Sequence, residues 1–335
     1  MSTIKSKVDQ YGFEREDDFD YETYEKFMSE YLVVLTRRAV KWEKVVDPQH
    51  RTRKSMKVKR YCRKGIPSSQ RAQVWFDVSG ARKRWKQGQG VYKRMLDSTK
   101  DTEVVESIRT DLHRTFPENI HFTDDLNSKK ESLFNVLSAY AHYNPTVGYC
   151  QGFNYIVALL LLVVKQEEHV FWLLDVLVTK KLPDYYSSRM QGLRVEQGVL
   201  DELIWWKMPA LAHHMKTIGV DIAIPSTKWF ICLYTDVLPT ETVLRIWDCL
   251  FYEGSKILFR VALTLLSLNE QKLLACTDFV SLCVGFKNVT HGSETIDCHH
   301  FMENCFTVPG SLPQAKIDKL RSKKQELLSV AAARS

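Results

Sequence analysis

Phe153-Asn154-Tyr155-Ile156-Val157-Ala158-Leu159-Leu160-Leu161-Leu162-Val163-Val164 decides how the rest of the chain is read. The stretch is apolar all round rather than along one stripe, the pattern of a helix buried at the centre of an all-α domain. Its unbroken apolar part, Tyr155 to Val164, is ten residues long and stops at Lys165. A membrane span needs roughly 20 such residues, so a core helix is expected instead.

Amphipathic helices are expected on both sides of it. Val104, Ile108 and Leu112 recur every four residues and mark one apolar face. Val195, Val199, Leu203 and Trp206 repeat at helical spacing, as do Val243, Ile246, Trp247, Leu250 and Phe251, with Thr240 as the expected N-cap after Pro239. Lys256–Leu274, Asp278–Lys287 and a more polar Ala315–Ala333 read as later helices. No alternating strand pattern of useful length competes. Fourteen Gly and ten Pro are about 7% of the 335 residues, against roughly 12% in average usage, which suits long helices with few tight turns. The expected class is all-α.

A hydrophobic content of 44% is ample for a core and excludes wholesale disorder. The opening MSTIKSKVDQ has no apolar signal region, and no lipidation motif is visible, so a soluble cytoplasmic protein is expected. The eight cysteines are dispersed through a large chain, which favours reduced thiols. Cys298-His299-His300 with Cys305 is the one cluster of metal-binding residue types, but its spacing fits no common zinc module, and no metal site is assigned.

Charge is distributed unevenly beneath a net value of +7. Residues 9–30 hold nine acids (Asp9, Glu14, Glu16, Asp17, Asp18, Asp20, Glu22, Glu25 and Glu30) against Arg15 and Lys26, and residues 37–64 hold twelve bases against Glu43 and Asp47. The plain reading of residues 1–62 is a charged, partly helical leader whose basic part neutralises acidic groups. The other reading is a weak contact between residues 37–64 and an acidic membrane surface. Trp42 and Tyr61 interleave with the bases, but no nucleic-acid module follows them, and no nucleic-acid partner is expected.

No phosphate loop, nucleophile elbow or zinc-protease helix is present, and Gly88-Gln89-Gly90 lacks the third glycine of a dinucleotide site. A protein that binds its own nucleotide is therefore not expected. Two other segments draw notice. In Ile108-Arg109-Thr110-Asp111-Leu112-His113-Arg114-Thr115-Phe116-Pro117, rotation of 100° per residue sets Asp111 beside the core face and Arg114 roughly 120° from Ile108, towards solvent. Asp111 and Arg114 form an i, i+3 pair, and Pro117 leaves Arg114 near the helix end. A pre-oriented, projecting arginine suits neutralisation of charge on a phosphoryl group, although the same pattern describes an ordinary surface ion pair. In Asn144-Pro145-Thr146-Val147-Gly148-Tyr149-Cys150-Gln151-Gly152-Phe153-Asn154, Gln151 stands at the threshold of the apolar helix. Its amide can orient a water, or it can cap the helix.

The two segments, in order with others, resemble the TBC domains, GTPase-activating proteins for Rab small GTPases. Gly65-Ile66-Pro67 precedes Arg71-x-x-x-Trp75; Ile108-x-x-Asp111-x-x-Arg114 and Tyr149-x-Gln151 follow. Trp229-Phe230, Asp236-x-Leu238-Pro239, Arg245-x-Trp247-Asp248 and Phe251 to Gly254 resemble the family's second half. The resemblance covers about Arg63 to Lys256, and the expected division is a leader at 1–62, a TBC core at 63–256 and C-terminal helices at 257–335.

The resemblance implies a multi-helix TBC fold, a role in intracellular vesicle transport, and a GTP-bound Rab as partner. It makes Arg114 an arginine finger and Gln151 a glutamine finger supplied in trans. Asp111 would orient Arg114, Tyr149 and Asn154 would shape the loop of Gln151, and Arg71 and Trp75 would stabilise the fold. GTP and magnesium would belong to the partner, with no cofactor of the chain's own. A Rab-binding scaffold or effector with little turnover is the alternative.

Overall fold

The computed structural model describes residues 7–15, 17, 20–46, 51–99, 101–123 and 128–334. Glu16, Asp18 and Asp47, counted above in the charged leader, lie outside the described residues. The chain forms two compact units, Met1–Leu177 and Val178–Ser335. Helices build both, and among the described residues the extended pairings are isolated bridges such as Phe13 with Asn119. The fold is all-α.

In the first unit the helices are α1 (Tyr21–Glu43), α2 (Met56–Lys64), α3 (Ser68–Ser79), α4 (Ala81–Gln87), α5 (Val91–Asp97), α6 (Thr102–Leu112), α7 (Lys130–Tyr143), α8 (Phe153–Val164) and α9 (Glu167–Val176). Helix α8 is the expected core helix, in contact with α3, α6, α7 and α9. Its side chains from Ile156 to Leu162 are all buried, and each large aliphatic one contributes roughly 1.5–3 kcal/mol relative to exposure. Asn154 is the one amide in this apolar helix, so its burial demands partners; it finds them at the site described below.

The leader is packed rather than detached. Trp42 is buried and donates its indole N–H to the Gly65 carbonyl at 3.0 Å. The Thr52 amide donates to Asp77 at 2.9 Å. The buried guanidinium of Arg71 donates to the Tyr11 hydroxyl at 2.9 Å, and Trp75 is fully buried on the same helix.

The second unit holds α10 (Gln191–Lys207), α11 (Pro209–Ile218), α12 (Ala223–Ile231), α13 (Thr240–Glu253), α14 (Lys256–Leu268), α15 (Glu270–Leu274), α16 (Phe279–Asn288), α17 (Cys298–Thr307) and α18 (Gln314–Arg334). Helix α10 packs on α11, α12, α14 and α18, while α13 packs on α14 and α17. Trp247, buried on α13, donates its indole N–H to the Leu233 carbonyl at 3.1 Å.

Three local expectations change. Pro239, not Thr240, occupies the cap of α13, and Thr240 is its first helical residue. Trp206 is 42% exposed instead of continuing the buried stripe of α10, and the ammonium groups of Lys207 and Lys316 lie over its ring at 4.0 and 3.1 Å. The stretch Lys256–Leu274 breaks at Asn269, whose side-chain amide donates back to the Leu265 carbonyl at 3.1 Å.

All eight cysteines are thiols, and none is in a disulfide. The Cys298-His299-His300 and Cys305 residues lie on α17: Asp297 caps that helix through the amides of His299 and His300, and Cys298 and Cys305 are buried. Among the described residues no helix is long and apolar enough to cross a membrane.

Candidate functional site

The site lies wholly in the first unit, where the end of α6 meets the loop that enters α8. Asp101 caps α6 by accepting from the amides of Glu103 and Val104. Ile108 is fully buried, which fixes the rotation of the helix and puts Asp111 in a 4% exposed position. The helix ends at Leu112, two residues before Arg114. Thr115 secures the stop: its hydroxyl donates to the Asp111 carbonyl at 2.6 Å, satisfying a group the helix end leaves open. Phe116 then adopts φ +48° with its ring buried against Phe13, Phe122 and Tyr155. A left-handed bulky residue persists only where packing over-determines it, and this aromatic cluster does so. Arg114 is thus held on a short, anchored turn.

The Asp111 carboxylate faces two partners. One oxygen pairs with the Arg114 guanidinium at 2.5 Å; the other accepts from the Tyr149 hydroxyl at 2.5 Å. The Arg114 side chain is 50% exposed while that of Asp111 is 5% exposed, so the anchor is buried and the guanidinium projects. Burial, followed by the bond to Asp111, raises the Tyr149 phenol above its ordinary value, so it remains a donor.

Gln151 follows on an irregular loop. The amides of Val147 and Gly148 both close on the Asn144 carbonyl, and Gly148 turns through φ +63° in open space. Gly152, at φ +108°, makes the second reversal and begins α8. Between them Tyr149 and Cys150 turn inwards, while Gln151 is exposed. Burial raises the Cys150 thiol to about 11, so it stays neutral and unreactive.

Asn154 joins the two segments. Its carbonyl oxygen accepts from the Gly152 amide at 3.0 Å, and its amide donates to Thr115 Oγ1 at 2.8 Å. Tyr155 adds a second link, its hydroxyl lying 3.3 Å from the Arg114 carbonyl. Arg114, Asp111, Tyr149, Gln151 and Asn154 are therefore brought together. Arg71 and Trp75 are not; they are buried on α3.

Thr115 and Tyr155 are site residues that the linear sequence did not reveal. A threonine four residues after a helical carbonyl is the signal for the first. Nothing in periodicity marks the second.

Arg114 and Gln151 can present a guanidinium and an amide to a surface outside the chain. No group of three or more His, Cys, Asp or Glu that could hold a metal occurs among the described residues. The Rab-GTPase-TBC domain family matches residues 68–274. The chain belongs to that family. It is 50% identical over 317 residues to growth hormone-regulated TBC protein 1-A of Danio rerio, covering 94% of this chain and 89% of that protein. It is 49% identical over 320 residues to growth hormone-regulated TBC protein 1 of Homo sapiens, covering 94% of each. Among solved structures, the flagellar RabGAP TBC domain of Chlamydomonas superposes with a TM-score of 0.77 at 33% identity, covering 89% of this chain and 99% of that one. The residues matched by the family include both Arg114 and Gln151.

Proposed function

We propose that the chain is a GTPase-activating protein for a GTP-bound Rab small GTPase, acting through Arg114 and Gln151 in trans. The observation that carries the reading is the projecting Arg114 guanidinium on a buried carboxylate, beside an exposed Gln151 on a loop tied to the same turn. Membership of the Rab-GTPase-TBC family supports the class of partner.

Phosphoryl transfer to water spreads negative charge over the γ-phosphate oxygens and the leaving oxygen, and it needs the attacking water in line. Arg114 neutralises the developing charge. Gln151 accepts from and donates to the water, holding it for attack. Asp111 and Tyr149 keep the guanidinium extended, so little reorganisation remains when the partner docks. The chain forms no covalent intermediate, and GTP and magnesium arrive with the partner. An arginine supplied in this way accelerates hydrolysis by roughly 10³ to 10⁵.

The test is single-turnover GTP hydrolysis across a panel of Rab proteins with the full chain added. Acceleration of at least one member is expected. Binding to GTP-loaded Rab with no acceleration anywhere would make the chain a scaffold instead. The exposed bases Lys57, Arg60 and Lys64 on α2 support a weak peripheral contact with anionic membrane. Vesicle flotation that is lost at high salt tests it.

A further inference from the structure

Residues 7–15, which the sequence presents as part of a charged leader, fold into a closed hairpin in the first unit. The Arg15 amide donates to the Lys7 carbonyl at 2.9 Å, and the Asp9 amide to the Phe13 carbonyl at 2.9 Å. The Asp9 carboxylate accepts from the amides of Tyr11 and Phe13 at 2.7 and 3.0 Å, so the loop is closed by its own side chain. Gly12 turns at φ +94°, where an added Cβ would lie 2.5 Å from the His121 ring.

The hairpin joins two parts of the unit. On one side the Tyr11 hydroxyl accepts from the buried Arg71 of α3 at 2.9 Å. On the other it lies along the chain that leaves the arginine-bearing turn. The Glu14 amide donates to the Glu118 carbonyl at 2.8 Å, and the Ile120 amide to the Gly12 carbonyl at 2.9 Å. Between them the fully buried Asn119 donates its side-chain amide to the Tyr11 carbonyl at 3.1 Å and its backbone amide to the Phe116 carbonyl at 3.0 Å. Phe13 completes the contact, its ring edge-on to that of Phe116 at 5.0 Å.

Phe116 stands two residues after Arg114 and holds a left-handed φ of +48°. A bulky side chain leaves that region once packing no longer confines it. Phe122 and Tyr155 also pack on the Phe116 ring, but they belong to the segments that follow the two fingers. Phe13 reaches in from the leader.

We infer that residues 7–15 are a strap that sets the arginine-bearing turn, with Phe13 positioning Arg114 through Phe116. The strap's effect on hydrolysis rests on the reading of Arg114 as a finger, whereas its hold on the turn is a property of the chain itself. A passive cover over the core would lower stability without loosening the turn in particular.

The experiment uses the full chain and three variants. Phe13→Ala removes the ring, Phe13→Leu keeps an apolar side chain, and Gly12→Ala drives the strap from His121 while Phe13 is kept. Hydrogen exchange read by mass spectrometry compares the peptide covering residues 112–122 with a peptide from α13. Single-turnover GTP hydrolysis by a responsive Rab, at varied concentrations of the chain, separates the maximal rate from the half-saturating concentration. Phe13→Ala and Gly12→Ala should each raise exchange at 112–122 about tenfold more than in α13. Each should lower the maximal rate about tenfold, with the half-saturating concentration within about twofold of the parent. Phe13→Leu should recover most of both losses, and in an Arg114→Ala background Phe13→Ala should cost no further rate. Exchange at 112–122 that rises no more than in α13 in Phe13→Ala overturns the strap. So does an unchanged maximal rate in that variant, or a loss that adds to that of Arg114→Ala. A parent chain that stimulates no Rab defeats the two-finger reading instead, and the exchange comparison then decides the strap's hold by itself.

Discussion

Asp111 holds Arg114 with one carboxylate oxygen and receives the Tyr149 hydroxyl on the other, each at 2.5 Å. A half-exposed arginine is thereby aimed by a buried residue, and that residue is oriented by the loop that carries Gln151. In the proposed mechanism Asp111 and Tyr149 are positioning residues, not groups that touch the phosphate.

Asp111→Asn retains the shape of the anchor and removes its charge. We expect kcat/KM for stimulated GTP hydrolysis to fall about 10- to 100-fold, the range for a misplaced catalytic group. In an Arg114→Ala background the same change should cost nothing further, because its effect runs through Arg114. A double-mutant cycle in single-turnover hydrolysis checks this. Additive losses would mean that Asp111 acts independently of Arg114.

Asn154→Ala removes two buried hydrogen bonds and leaves the Gly152 amide without its acceptor, while the Thr115 hydroxyl keeps its bond to the Asp111 carbonyl. At roughly 1–3 kcal/mol for the amide left unmet and about 1 kcal/mol for the lost bond to Thr115, destabilisation of about 2–4 kcal/mol is expected, read from urea unfolding. Gln151→Ala, at an exposed position, should stay within about 0.5 kcal/mol of the parent.

Cys150 yields a prediction about pH. Its thiol is raised by burial to about 11 from an ordinary value of 9.0. The folded state therefore favours the neutral thiol. This contribution to stability is fully present below the ordinary thiol value and is lost as pH rises towards about 11. Stability should fall over that window less steeply in Cys150→Ala than in the parent, as measured by urea midpoints. Alkylation of the native thiol at mildly alkaline pH should be slower than in the unfolded chain.

Several of these relationships were legible in the linear sequence. Spacing from Ile108 placed Asp111 at the core boundary and Arg114 towards solvent, because a helix converts sequence offset directly into angle. The apolar run after Gly152 similarly announced the buried helix α8. Other features were not legible. The cation–π contact of Trp206 depends on Lys316, which comes from another helix. The left-handed Phe116 depends on rings from distant segments, and the Thr115–Asn154 bond spans 39 residues. Periodicity reports which way a residue faces and says nothing about which partner it meets. The resemblance to a family supplied the proposed roles of Arg114 and Gln151, while the geometry explains how one buried carboxylate and one buried amide hold both segments.

The two-finger mechanism stands or falls on single-turnover GTP hydrolysis by a responsive Rab with the parent chain, Arg114→Ala or Gln151→Ala added, unfolding midpoints being measured alongside. Each substitution is expected to remove most of the acceleration, by about 10³-fold or more for Arg114→Ala. Both variants should remain as stable as the parent to within about 1 kcal/mol. Parent-like acceleration in either folded variant would contradict the mechanism.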